Sequence, residues 1–233
     1  MSPRTDPLFG RERWSVLAAM GASLGLSAAL VAARVWRVHH IDYLFLLWNL
    51  FLAGVPLGAV AMARAAERAG ARSLAAALLA VWLLFFPNAP YLVSDLVHLR
   101  GRGAVPGWYD AVLLMSCAWN GLLLGLLSLH DAQGLIARMA GRWWGRAFAA
   151  GAILASGFGV YLGRFSRWNS WDVVTHPGPL LWEIADRALH PTAHPRTWAV
   201  TVAFAAFVGV AYLSFAAFVR GVADEPSPPS PER

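Results

Sequence analysis

The sequence contains no lysine, a single cysteine and only 14% charged residues in a chain of 233. One cysteine excludes an intrachain disulfide and the cysteine-rich zinc patterns. Cys117 lies inside an apolar run, where a small thiol reads as a packing residue rather than a nucleophile. There is no phosphate-binding Gly-Lys-Ser loop, no His-Glu-x-x-His metal motif and no Gly-x-Ser-x-Gly elbow. Pairing His98 with His39 or His40 around a haem would have no support beyond the residue type. No cofactor and no metal site are therefore expected.

What is present is apolar: 58% hydrophobic residues and a mean hydropathy of +0.51. Such a composition belongs to the membrane class when it comes in runs of about 20 residues, because a helix rising about 1.5 Å per residue needs that many to cross a hydrocarbon core of about 30 Å. Six runs meet the requirement or nearly so: Trp14–Ala33, Ile41–Met62, Ser73–Ser94, Trp108–Leu129, Ala147–Gly163 and Trp198–Val219. The expected fold is all-α, a polytopic transmembrane helix bundle of about six spans. It comprises an N-terminal segment 1–13, a single membrane domain 14–220 and a Pro/Ser-rich tail 221–233 that composition marks as disordered. Arg4, Arg11 and Arg13 before the first run resemble the start of a signal peptide, but an apolar run of 20 is long for one and favours an uncleaved helix.

All nineteen basic residues are arginine, and with abundant alanine this reads as a GC-rich bacterial coding bias. A pI near 10.4 would suggest nucleic acid in a soluble protein; here the arginines flank apolar runs, so the expected partner is the lipid bilayer and not nucleic acid. Six spans place both termini on one face. A small excess of arginines there predicts that face to be cytoplasmic, in a bacterial plasma membrane. The opposite face collects His39, His40, His98, His176, His190 and His194, leaving only His130 on the first. Interfacial tryptophans are ordinary on such a face; their combination with histidines and acids requires an explanation.

The third run reads Phe85-Phe86-Pro87-Asn88-Ala89-Pro90-Tyr91, then Ser94-Asp95 and His98. Ser73 to Phe86 covers about 21 Å of helix, too short to cross alone, so a break at the Pro-Asn-Ala-Pro motif is expected within or near the membrane. Such a break frees carbonyls and N–H groups that lipid does not tolerate uncovered, and transporters use it as a binding site; a plain proline kink is the competing reading. Past it, Asp95 and His98 share a helix face at i and i+3, with Arg102 one turn on if the helix lasts. They are candidates for an acid–base pair, for two ligands of a metal, which alone are too few for a site, or for a buried ion pair.

Asp110 opens the fourth span, where it suits the helix dipole, and Asn49 and Asn120 lie at depth, where amides usually bond another helix. Ala155, Gly159 and Gly163 form a small-residue stripe. Arg164 and Arg167 follow as a possible two-pronged anion clamp, or as partners for Asp95, Asp110 or Asp172. Asn169 and Asp172 have cap spacing before an amphipathic stretch through Trp182, Glu183, Asp186 and Arg187, expected to lie on the membrane surface. Arg138, Arg142 and Arg146 read as a basic anchor on anionic lipid.

Trp48-Asn49-Leu50-Phe51, the Pro-Asn-Ala-Pro-Tyr segment with Asp95 and His98, Trp108-Tyr109-Asp110 and Gly163-Arg164-Phe165 through Asp172 resemble a bacterial family of membrane proteins, domain of unknown function 1361, from about the first span to the last. The resemblance implies the membrane fold and no activity. Three readings follow from the residues. One is a binding or transport-related protein whose outward pocket holds an anionic small molecule or lipid head group through Asn88, Asp110, Arg164, Arg167, Asn169 and Asp172. Another is an enzyme on a lipid-linked substrate with His98 and Asp95 exchanging a proton. The third is a structural partner. Oligomeric state is not read from the sequence.

Overall fold

The computed structural model describes residues 11–99 and 105–223. The chain forms α1 (Arg11–Val38), α2 (Phe45–Arg68), α3 (Arg72–Phe85), α4 (Asn88–Ser94) with a 3-10 turn at Asp95–His98, α5 (Gly107–Ala140), α6 (Arg142–Tyr161) with a π turn at Leu162–Ser166, α7 (Asp172–Thr175), α8 (Pro177–Leu189) and α9 (Pro195–Ala223). Among the described residues six helical stretches are long and apolar enough to cross a membrane, the third being α3, α4 and the 3-10 turn taken together. The protein is a polytopic, all-helical membrane protein. Arg4, Arg102 and residues 224–233 of the expected tail lie outside the described residues, while 221–223, expected to begin that tail, are the last residues of α9.

The bundle is built around α5, which packs against α1, α2, α4, α6 and α9. With 34 residues it is about 51 Å long, well beyond a hydrocarbon core of about 30 Å. Its buried face supplies Leu113, Leu114, Leu124, Leu129 and Leu135 to two apolar clusters, one toward α1 and α2, the other toward α3, α6 and α9. A turn at Gly141, whose φ of 108° strains any residue with a side chain, reverses the chain into α6. By contrast α9 packs mainly on α6, where the backbone of Thr201 lies so close to Gly157 that a Cβ there would collide with it. The outer face of α9, with Val202, Phe207, Val210 and Leu213, points away from the protein as lipid-facing residues do.

Polar ties fasten α1 to α5. Asn120 donates to Ser23 O at 3.0 Å and to Ser27 Oγ at 2.9 Å, and Tyr109 donates to Leu30 O at 2.8 Å. At the end of this line Arg34 grips Asp110 with two nitrogens, Nε at 2.7 Å and Nη2 at 3.2 Å. α1 runs past Ala33, which carries Arg34 inside the protein rather than into a connection.

Between α3 and α4 both Phe86 and Pro87 keep right-handed helical dihedrals, Phe86 N still donates to Trp82 O at 2.8 Å and Tyr91 N to Pro87 O at 3.1 Å. Pro87 and Pro90 have no N–H to donate to Leu83 O and Phe86 O. Of these Phe86 O accepts from Ala89 N at 3.1 Å, and beside it Phe85 O accepts from Asn88 Nδ2 at 2.9 Å and Leu84 O from Ser170 Oγ at 3.2 Å. Glycines hold this segment on two sides. A Cβ on Gly121 would stand 2.8 Å from Ala89 O, one on Gly125 2.8 Å from Ala89 Cβ, and one on Gly159 2.6 Å from Pro87 Cβ. α4 can therefore sit between α5 and α6 only because both present bare backbone there.

Candidate functional site: a polar hub beside an uncharged cleft

Asp95 is 1% exposed and lies at the centre of a hub drawn from three parts of the chain. Arg164 Nη2 pairs with Asp95 Oδ1, and Asn49 Nδ2 of α2 donates to Asp95 Oδ2 at 3.1 Å. The π turn after α6 carries Arg164 toward α4, where its Nε donates to Ser94 Oγ at 3.0 Å and its guanidinium lies 4.4 Å over the Tyr91 ring. His98 Nε2 is 3.1 Å from Arg164 Nη1. A guanidinium only donates, so Nε2 is the acceptor in this contact. The His98 backbone carbonyl accepts from the Tyr43 hydroxyl at 3.1 Å, and the His98 ring packs edge-on to Phe45.

Asp95, His98 and Arg164 are thus brought together, at i and i+3 on one side and across the bundle on the other. The other candidates go elsewhere. Asp110 is closed against Arg34, with side chains 4% and 5% exposed, and the Arg34 guanidinium sits 3.7 Å over the Tyr43 ring. Arg167 adopts a left-handed backbone with φ of 64° and faces outward, so that it does not join Arg164 in a two-pronged grip. Asp172 accepts from Asn169 N at 2.7 Å and Thr175 Oγ1 at 2.9 Å, as a residue pinning its own loop. The Asn169 backbone N–H holds its carboxyl below the ordinary carboxylate value; burial opposes this, and Thr175, the Asn169 amide and His176 add to the lowering. Among the described residues no group of three or more His, Cys, Asp or Glu is placed to hold a metal ion.

A second polar cluster was not legible as a unit in the sequence. Glu183 accepts from Ser166 Oγ, from Trp168 Nε1 at 2.6 Å and from Arg187 Nε at 2.9 Å, while Arg187 Nη1 donates to Thr197 Oγ1 at 3.1 Å. Burial works to raise the Glu183 carboxyl, but the bonds from Ser166, Trp168 and Arg187 outweigh it and the net displacement is downward. This cluster fastens α8 to the π turn and to the start of α9. The Glu183-Arg187 spacing of four on an amphipathic helix was the available signal.

Between these clusters lies a cleft of about 280 Å³, walled by α2, the α3–α4 junction, α6 and the 168–171 loop. Its lining combines apolar side chains, Leu52, Leu83, Leu84, Ala155, Phe158 and Leu162 among them, with the polar Asn49, Asn88, Tyr91, Asn169 and Ser170 and with Trp48, Trp168 and Trp171. Asn49 and Tyr91 belong to both hub and cleft. No charged residue lines it.

The family model described as Protein of unknown function (DUF1361) matches residues 48–211, well over half of the chain. The chain belongs to the DUF1361 family. The resemblance read from the sequence runs from the first span, whereas the match begins at Trp48 inside α2 and leaves α1 outside it. In this DUF1361 chain the hub and every residue of the cleft fall inside the matched region, while Arg34, the partner of Asp110, falls outside. No curated protein and no solved structure matches the chain.

Proposed function

We propose that this DUF1361 protein is a lipid-binding protein of the bacterial plasma membrane, with the cleft at its outward face as the binding site and both termini in the cytoplasm. The observation that carries the reading is a cleft lining that combines apolar side chains with amides, a phenol and tryptophans and holds no charge, the mixed surface that an amphiphile requires. The glycine contacts and the locally satisfied carbonyls at Pro87 support it. They pack the Pro87 segment against bare backbone beside the cleft and give Phe85 O and Leu84 O side-chain donors there.

The hub supports the wall. Asn49 and Tyr91 are held by Asp95 and Arg164, and the bound carboxylate and guanidinium neutralise one another. An anion would find no cation on the cleft lining, because Arg164 is engaged and Arg167 points elsewhere. The acid–base reading of Asp95 and His98 gains no support from a pair whose oxygens and ring nitrogen are taken up by Asn49 and Arg164.

The test is native mass spectrometry of the protein released from nanodiscs made with bacterial lipid extract. Ala155 lines the cleft with its side chain otherwise uncovered, so Ala155→Phe fills part of the cleft without overpacking the core. Wild type should retain one lipid that Ala155→Phe loses. Equal retention by both, or retention by neither, would overturn the proposal.

A further inference from the structure

The lining of the cleft offers hydrogen-bond acceptors and aromatic faces in place of charge. Asn88 Nδ2 donates to Phe85 O and Asn49 Nδ2 donates to the Asp95 carboxylate, at 2.9 and 3.1 Å. Both partners are acceptors only, so the orientation of each amide is fixed. The Oδ1 atoms of Asn49 and Asn88 have no partner among the described residues, and neither has the Tyr91 hydroxyl. Two amide oxygens accept only and disfavour a phosphate or carboxylate, while the phenol both donates and accepts; together they suit a ligand whose O–H groups do both.

The tryptophans point the same way. Trp48 stacks on Phe51 with ring centroids 5.4 Å apart and meets Trp171 edge to face at 6.5 Å, and both indoles remain partly uncovered at 52% and 39%. The face of an indole is electron-rich, and the C–H edge of a pyranose ring is its electrostatic complement. Planar amides beside exposed aromatic faces are the surface on which an uncharged sugar is held.

We infer that the cleft selects a lipid whose head group is an uncharged sugar, the pyranose resting against Trp48 and Trp171 with its hydroxyls on Asn49, Asn88 and Tyr91, and the acyl portion entering toward Ala155. This inference rests on the lipid-binding reading above and adds the class of head group.

The two are separated by offering the full-length protein, in nanodiscs, equal amounts of glucosyl diacylglycerol, phosphatidylglycerol and diacylglycerol, and reading the retained species by native mass spectrometry. The expected result is at least tenfold preference for the glucosyl lipid. The preference should be lost in Trp48→Leu and largely kept in Trp48→Phe, because an aromatic face is what the sugar needs; Trp48 is exposed on α2, so neither variant opens the core. Retention of the three lipids without preference, or preference unchanged in Trp48→Leu, would overturn the sugar assignment and leave the lipid site standing. Preference for phosphatidylglycerol would overturn it in favour of an anion. Capture of soluble methyl glucoside as tightly as of the glucosyl lipid would overturn the commitment to a lipid. Retention of none of these would overturn both readings.

Discussion

Arg34–Asp110 and Arg164–Asp95 are the two arginine–aspartate pairs among the described residues whose carboxylate is almost wholly buried, and they differ in what surrounds them. Arg34 and Asp110 form a closed contact under the Tyr43 ring, both side chains buried, with one guanidinium nitrogen, Nη1, lacking a hydrogen-bond partner. Arg164 and Asp95 form the centre of a network that includes Asn49, Ser94 and His98, and Arg164 is 16% exposed beside the cleft. A buried pair without further ligands acts as a fastener, here of α1 to α5. A pair whose remaining valences are filled by residues that also line a cleft fixes the shape of that cleft.

The largest expected effect comes from opening the closed pair. Asp110→Ala should cost about 3–5 kcal/mol, because it leaves a buried guanidinium uncompensated. Arg34→Leu combined with Asp110→Leu should recover much of that loss. Denaturant titration of the purified protein checks both, and a loss below about 1 kcal/mol in Asp110→Ala would erase the distinction between the two pairs. Arg164→Gln should cost less, about 1–3 kcal/mol, since Asp95 keeps its bond from Asn49 and the site is open at one edge.

The glycine contacts give a smaller and sharper comparison. Gly159→Ala drives a methyl against Pro87 and should cost about 1–3 kcal/mol, whereas Gly151→Ala on the same helix meets nothing within 4 Å and should be neutral or slightly stabilising. Thermal unfolding of the two variants side by side reads the difference, and equal midpoints would mean that α4 is not tightly held.

The smallest effect concerns the 168–176 loop. The folded-state value of Asp172 is depressed, so its contribution is present in full above its unfolded value of about 3.9 and is lost as pH falls through the folded one. Stability should therefore show no Asp172 component between pH 5 and 8, and a difference in slope between wild type and Asp172→Asn only below about pH 4.

The six spans were legible because about 20 apolar residues in a row have few alternatives to crossing a membrane. Their ends were less so. α1 continues through Arg34 and α5 through Arg138, because a helix goes on past its apolar stretch wherever charged side chains find partners or water, and composition alone does not mark that point. Asp95 and His98 on one face followed from helical spacing. The choice of Arg164 rather than Arg167 as the partner of Asp95 did not, since it depends on a π turn that rotates one arginine inward and the other out. The pairing of Arg34 with Asp110 joins residues 76 positions apart and has no local signature. Gly121 and Gly125 stood four apart in plain view, but only the packed α4 shows what they make room for.

The most direct test of the difference between fastener and hub is lipid retention by the folded fractions of Asp95→Asn and Asp110→Asn, read by native mass spectrometry from nanodiscs of bacterial lipid extract. If the Arg164–Asp95 network shapes the cleft, Asp95→Asn stays folded and loses the bound lipid, while the surviving folded fraction of Asp110→Asn keeps it. Identical retention in the two variants would contradict that assignment.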